Sequence, residues 1–268
     1  MPRHPVLFAY FARLSVSAKK TYICPAMRIV QITDLHVGLA DEATFDVDVR
    51  ANFLGICQKT RALAPDYIVV SGDLCFEQAD PEIYRWIKQH LDSLEITYDL
   101  LSGNHDNPRT LAKSFDCEHL LQDGELYYQR QLEGFPYLFL DTTTGMVSKK
   151  QLDWLDDALK HQGGPVIIFM HHPPLLAGVP HMDRNYALKN REEVLDILLA
   201  HNQRIDIFCG HYHVDKTISI DNLNVHITPS CFFQIDQHSE EFAVDHYRPA
   251  LREIDATTSQ LSHTVIFL

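Results

Sequence analysis

The sequence predicts an α/β protein in which two β-sheets pack face to face with helices on the outside. Three observations predict it. From Met27 onward, short apolar runs of strand length alternate with segments of helical period. The first three of these units follow one another without a hairpin, which implies parallel neighbours joined by right-handed crossovers. The second half mixes further buried runs with hairpins, so that the strand count fits two sheets.

"RIVQIT" is the first strand and stops at Asp34. Residues 46–63 have helical spacing, with Val49, Phe53, Ile56 and Leu63 on one side, and Pro65 closes the helix. "YIVVSG" is the second strand. Pro81 stands where a helix begins, and 82–94 reads as that helix. "YDLLSG" is the third strand. "LYYQR" and "YLFLD" form a hairpin through an "EGFP" turn. Ser148 is an N-cap for a helix running to Lys160, with Leu152, Leu155 and Leu159 on its inner face. "PVIIFM" is apolar throughout, as a strand buried on both faces must be. Asn190 caps a helix over 191–200, "IDIFCG" is another strand, and "TISI-DNLN-VHIT" is a hairpin. "ALREI" and "TVIFL" end the chain as strands.

Composition bounds the function. The net charge is −13, from 23 basic and 36 acidic residues, which argues against duplex DNA or RNA as a partner because phosphate backbones need a basic footprint. It does not argue against a small phosphate ester whose charge a bound metal handles locally. Six scattered cysteines, Cys24, Cys57, Cys75, Cys117, Cys209 and Cys231, form no CxxC pair and read as free thiols of a reducing, cytoplasmic compartment. No apolar stretch approaches the length of a membrane span. In residues 1–26, Arg13 interrupts a short apolar run and no small-residue cleavage site follows. They are expected to be a poorly ordered or loosely packed extension, with a single domain over 27–268. Histidine is the outlier, at 16 residues.

The histidines cluster where strands end. "VQIT" ends in Asp34-Leu35-His36, "IVVS" in Gly72-Asp73, "DLLS" in Gly103-Asn104-His105-Asp106, "VIIFM" in His171-His172 and "DIFC" in Gly210-His211-Tyr212-His213. In a mostly parallel sheet these ends share one edge, where α/β proteins place their sites. Each fragment alone is weak, since Asp at a strand end is more often a turn former. Their joint appearance at five strand termini is what chance does not explain. Asp, His and Asn without Cys suit Mn, Fe, Co or Zn, and seven candidates suit two ions that share a carboxylate. The i, i+2 spacing of Asp34 with His36, and of His211 with His213, puts both side chains on one side if the chain is extended there.

The set "DLH", "GD", "GNHD", "HH" and "GHYH", spanning residues 34–213, resembles the calcineurin-like metallophosphoesterase superfamily. The resemblance implies a four-layer αββα sandwich and two divalent transition-metal ions per chain. It places Asp34, His36, Asp73 and His213 on one metal, and Asp73, Asn104, His171 and His211 on the other, with Asp73 as bridge. It makes His105 the catalytic group that faces the substrate phosphoryl, with Asp106 and His172 as supports behind the ligands. It further implies in-line attack on phosphorus by a hydroxide bridging the metals.

The substrate is read from what differs between branches. "GDLCFE" and the closing Asp106 depart from the protein phosphatases, which carry a "GDYVDRG"-like motif and "GNHE". "VHITPSCFFQID" resembles the bacterial class III cyclic-nucleotide phosphodiesterases. A small phosphodiester, 3′,5′-cyclic nucleotides above all, is therefore the expected substrate. The alternatives are glycerophosphodiesters, 2′,3′-cyclic nucleotides, a lipid pyrophosphate, and a scaffold without catalysis. The loop 174–189 and the segment 229–238 can overhang the metals, making Arg184, Asn185 and Gln234 the expected substrate contacts. The strands after residue 215 add sheet edge that a homodimer would cover.

Overall fold

The computed structural model describes residues 26–40, 42–257 and 259–268. The expected extension over residues 1–26 thus lies, up to residue 25, outside the described residues. In chain order the elements are β1 (Met27–Ile32), α1 (Val49–Leu63), β2 (Tyr67–Ser71), α2 (Pro81–Asp92), β3 (Tyr98–Leu101), α3 (Pro108–Ser114), β4 (Tyr128–Leu132), β5 (Phe135–Leu140), α4 (Lys149–Lys160), β6 (Val166–Met170), α5 (Pro180–Asn185), α6 (Arg191–Ala200), β7 (Ile205–Cys209), β8 (Lys216–Ile220), β9 (Leu223–Ile227), β10 (Gln234–Ile235), β11 (Val244–His246), β12 (Ala250–Ala256) and β13 (Leu261–Phe267).

Two mixed sheets carry the fold, in the orders β13-β12-β1-β2-β3 and β4-β5-β6-β7-β9-β8. The expected parallel set β1, β2, β3 is present, as is a second parallel set, β5, β6, β7, β9. The period of two along a strand sorts residues between the layers. On β6, Ile167 and Phe169 face the core shared with the first sheet, while Val166, Ile168 and Met170 pack with Leu152, Leu155 and Leu159 of α4 and Leu198 of α6. Phe53 and Ile56 of α1 and Ile83, Tyr84 and Ile87 of α2 join the core of the first sheet. The result is the four-layer αββα sandwich. Across neighbouring strands of the second sheet, Tyr128, Phe139, Phe169, Phe208 and His226 stack in sequence, with centroids 4.5–5.6 Å apart.

Several local details depart from expectation. The β4–β5 turn is Glu133-Gly134 alone, with φ of 49° and 77°, which places Phe135 and Pro136 inside β5. The β8–β9 hairpin likewise turns at Asp221-Asn222 and not over four residues. Helix α1 starts at Val49 because the Asp48 side chain accepts from the Ala51 amide at 2.9 Å. Asp46, expected to be helical, forms a left-handed turn with Phe45 instead, at φ 58° and 49°. Ser148 caps α4 as expected, but Asn190 does not cap α6 with its side chain. Its amide instead clamps Val147, accepting from the backbone nitrogen at 3.0 Å and donating to the carbonyl at 2.9 Å. The chain also returns to the first sheet, where β12 pairs antiparallel with β1.

Candidate functional site

The C-terminal ends of β1, β2, β3, β6 and β7 meet along one edge of the sandwich, and backbone bonds lock them there. The amides of Asp34 and His36 donate to the carbonyls of Gly72 and Asp73, both at 3.0 Å, and the Gly210 amide donates to the His171 carbonyl at 3.1 Å. Asp34, His36, Asp73, His211 and His213 all have positive φ, between 44° and 68°. The i, i+2 pairs therefore do not converge through extended chain. Each side chain is aimed by its own left-handed kink, a conformation that costs non-glycine residues energy and gathers at functional sites. Two glycines make room. A Cβ on Gly103 would overlap Asp73, reaching 2.8 Å from its Cγ, and one on Gly210 would overlap Thr33 Oγ1 and Asp34 Oδ2.

Two triads of donor atoms result, Asp34-His36-His213 and Asp73-His171-His211, and a third grouping, His36-Asp73-His105, connects them. Three histidines commit Nδ1 to a backbone carbonyl: His171 to Ser71 at 2.9 Å, His213 to Phe233 at 2.9 Å and His36 to Phe76 at 3.5 Å. Donation from Nδ1 leaves Nε2 with a lone pair aimed into the cluster. His36 Nε2 and His213 Nε2 face each other at 3.2 Å. His171 Nε2 is buried, lies 3.1 Å from Asp73 Oδ2, and lacks hydrogen-bond geometry to any partner. His211 uses the other tautomer, with Nε2 donating to the Tyr186 carbonyl at 3.0 Å. Facing lone pairs on His36 and His213 with no proton between them fit a metal ion. The donor set, carboxylate and imidazole, suits divalent transition metals.

The electrostatics agree. Burial alone would raise the Asp34 carboxyl, but the imidazoles of His213 and His171 outweigh it and hold it at about 2. Asp73 is held low in the same way, chiefly by His171, against its burial. Burial pushes His36 down to about 3 and, with His171 beside it, His211 down to about 4, so both are neutral, as ligands must be. His171 alone goes up, to about 9, because Asp73 and Asp34 overcome its burial. Two buried carboxylates need positive charge between them, and without a metal a proton on His171 supplies it.

The supporting residues sit as follows. The Asp106 carboxylate accepts from the amides of Gly103 (2.9 Å) and Leu74 (3.2 Å) and from the Tyr84 hydroxyl (2.9 Å), tying the loops after β2 and β3 together. Burial, then Asp73, raises it to about 6. His172 pairs through Nδ1 with Thr142 Oγ1 at 2.9 Å and lies against His211, ring centroids 4.0 Å apart. The His105 amide donates to Asp73 Oδ1 at 2.9 Å, and its partly exposed ring stands edge-on to His36.

Asn104 and His105 line the mouth of a cavity of about 370 Å³ together with Asp73, His36, His211 and His213. The three expected substrate contacts do not line it. Arg184 is exposed and paired with Glu240, and the Asn185 amide donates to the His181 carbonyl at 2.8 Å. Gln234 is buried, its amide spent on the backbone of Ser230 and Arg248. Proximity to a ligand in sequence did not give side-chain direction. The cavity wall is instead aromatic, and Phe45, Phe76, Tyr186 and Phe242 were missed. Phe45 alone left a trace in the sequence, as a lone large apolar residue in the polar run "DEATFDVD".

The model of the calcineurin-like phosphoesterase family matches residues 27–215. A Fibrobacter succinogenes protein named "Probable cyclic nucleotide phosphodiesterase" is 36% identical over 85% of this chain and 89% of its own. A 3′,5′-cyclic-nucleotide phosphodiesterase of a Nostoc species is 28% identical over 84% and 85%. Among solved structures, a dimetal phosphatase from Danio rerio superposes with a TM-score of 0.63 at 17% identity, covering 91% of this chain and 99% of that one, a likeness of fold alone. Family match, fold and the ordered strand-end motifs coincide, and the chain belongs to the calcineurin-like phosphoesterase family.

Proposed function

We propose that this protein is a metal-dependent phosphodiesterase that hydrolyses 3′,5′-cyclic nucleotides. The observation that carries the reading is the convergence of two Asp/His triads, linked through Asp73, at the mouth of an aromatic cavity. A monoester needs only the charged end of such a site, whereas a diester also needs room for its second ester group. The relatives' names point the same way.

Asp34, His36, Asp73 and His213 would hold one divalent ion, and Asp73, Asn104, His171 and His211 a second, drawn from Mn, Fe, Zn and Co. Bound there, such ions supply water of lowered pKa and neutralise charge on the phosphoryl oxygens. The chain's own residues do the rest. The His105 amide fixes the Asp73 carboxylate from behind, and Asp106 ties together the loops after β2 and β3 that carry Asp73 and Asn104. His172 holds His211 in place. His105 faces the cavity and protonates the leaving ribose oxygen as the bond from phosphorus to that oxygen breaks. A water oxygen bonds to phosphorus from the side opposite that 3′ oxygen and releases one proton, which restores the one His105 gave up, leaving the 5′-monophosphate.

Free thiols at Cys57, Cys75, Cys117, Cys209 and Cys231 support a cytoplasmic setting. Among the described residues no helix is long and apolar enough to cross a membrane. A homodimer is supported by β13, an edge strand with neither proline nor a carboxylate, lysine or arginine to blunt it.

The test is a substrate panel on the manganese-loaded protein: cyclic 3′,5′-AMP, cyclic 2′,3′-AMP, glycerophosphodiesters, bis(p-nitrophenyl) phosphate and p-nitrophenyl phosphate. Turnover of cyclic 3′,5′-AMP, with the chromogenic diester faster than the monoester, is expected. A clear preference for the monoester would overturn the diesterase reading. Diester turnover without any on 3′,5′-cyclic nucleotides would overturn the narrower one.

A further inference from the structure

The cavity beside the candidate metal ligands has two chemically distinct halves. One half is the Asp/His cluster. The other is aromatic and begins at once, with the Phe232 ring 5.2 Å from that of His36. Behind it lies Phe233, buried, and two exposed rings stand steeply on it. Phe45 meets Phe233 at 6.0 Å and 81°, and Phe242 meets it at 5.7 Å and 73°. Their exposure, 63% for Phe45 and 49% for Phe242, means that little of the chain covers them.

Phe45 is held there against its own backbone preference. It and Asp46 are consecutive non-glycine residues at φ 49° and 58°. For a bulky residue this is a strained conformation, and strain of this kind gathers at ligand clamps. Its contacts with Phe76, Phe232 and Phe233 cover only one side of the ring and leave the residue mostly in solvent. The kink's effect is to turn the ring toward the cavity.

The aromatic half also holds one unmatched polar atom. His181, the one lining imidazole outside the Asp/His groupings, lies between Tyr186 and Phe242, with centroids 5.6 and 5.8 Å away. Its Nδ1 is covered as the ring stands and has no hydrogen-bond partner, so an occupant meets it when the imidazole turns over. A buried polar atom is costly unless a partner arrives. The occupant of this half therefore has a flat apolar face for the rings and a hydrogen-bonding edge for the imidazole. An acyl chain offers no edge, and a glycerol headgroup offers no face. A nucleobase has both.

We infer that Phe45 and Phe242 form the base subsite of this enzyme, with His181 hydrogen-bonded to the edge of the base. The inference rests on the cyclic-nucleotide reading and gives it its specificity-determining residues. They come from the loop before α1, from α5 and from the segment before β11.

The test is calorimetric binding of 5′-AMP and of ribose 5-phosphate to the manganese-loaded full chain, which needs no turnover. Both carry the same phosphate and sugar, so their affinity ratio isolates the base. The wild type should prefer 5′-AMP by tenfold or more, and Phe45→Leu and Phe242→Leu should each cut that preference by roughly fivefold or more, since they keep apolar volume and lose the flat ring. Melting curves establish that each variant is folded. Equal affinities in the wild type, no detectable binding of 5′-AMP, or an unchanged ratio in both folded variants would overturn the subsite. Cyclic AMP turnover with an unchanged ratio sinks the subsite alone. A ring-dependent preference for 5′-AMP without turnover of any cyclic nucleotide sinks the reaction and leaves the subsite standing.

Discussion

Replacing Gly103 by alanine puts a methyl group where the Asp73 carboxylate now lies. The added carbon would overlap Asp73 Oδ1 and the Asp73 backbone nitrogen, and would sit 2.8 Å from Cγ. The backbone of Asp73 is itself tied by its carbonyl to the His36 amide at 3.0 Å, so it has little freedom to yield. Overpacking of a filled interior costs about 1–3 kcal/mol, and contact with backbone puts this case near the upper end. In a chain of this size that lowers the melting temperature by about 5–10 °C. The carboxylate that joins the two triads must also move, so metal content should fall below two ions per chain. The assay is calorimetry of the metal-free protein, followed by elemental analysis after loading with manganese. Gly163→Ala is the control, because nothing lies within 4 Å of a Cβ placed there. A Gly103→Ala protein with wild-type melting temperature and two ions per chain would refute the close approach of these two strand ends.

Three further outcomes are expected. His105→Ala should keep the metal content of the wild type and lower kcat on cyclic AMP by roughly 10²–10⁴-fold, the usual worth of a proton donor; loss of metal instead of rate would make His105 a ligand. Burial, with His226 and Arg252 beside it, pushes the His263 imidazole from its ordinary 6.5 down to about 4, and its Nδ1 accepts from Arg252 Nη1 at 2.8 Å. The unfolded chain takes up this proton near pH 6.5 and the folded one only near 4, so stability is lost as pH falls across that window; His263→Gln should lose less melting temperature over it than the wild type, and equal losses would count against the coupling. Light scattering at micromolar concentration should give the mass of a homodimer, and a monomer would speak against pairing through β13.

The legible parts of this molecule share a physical basis. Strands β1, β2, β3, β6 and β7 could be read because burial makes most of each apolar, β6 throughout, and a polar cluster placed directly after such a run stands out. The seven candidate ligands stood out for that reason; the structure draws six of them into two Asp/His triads and sets Asn104 on the cavity wall. What failed was direction. Asp34 and His36 converge through left-handed kinks that no alternation pattern encodes. Gln234 looked free to reach a ligand, yet its amide is consumed by Ser230 four residues away, the local capture that polar side chains in turns often make. The pairing of β12 with β1 joins residues more than 220 positions apart, and only tertiary packing decides it. Phe45 and Phe242 belong to irregular segments, where composition carries no period to read.

The central claim is that two metal ions joined through Asp73 run this chemistry, and a titration tests it most directly. Cyclic AMP hydrolysis would be measured as manganese is added back to chelated protein, for the wild type and for Asp73→Asn. Two ions joined through Asp73 predict no turnover without metal, a rise that saturates near two equivalents per chain, and loss of that rise in Asp73→Asn, where both sites forfeit a charged ligand. Full activity in the presence of chelator, or a wild-type rate from Asp73→Asn, would contradict it.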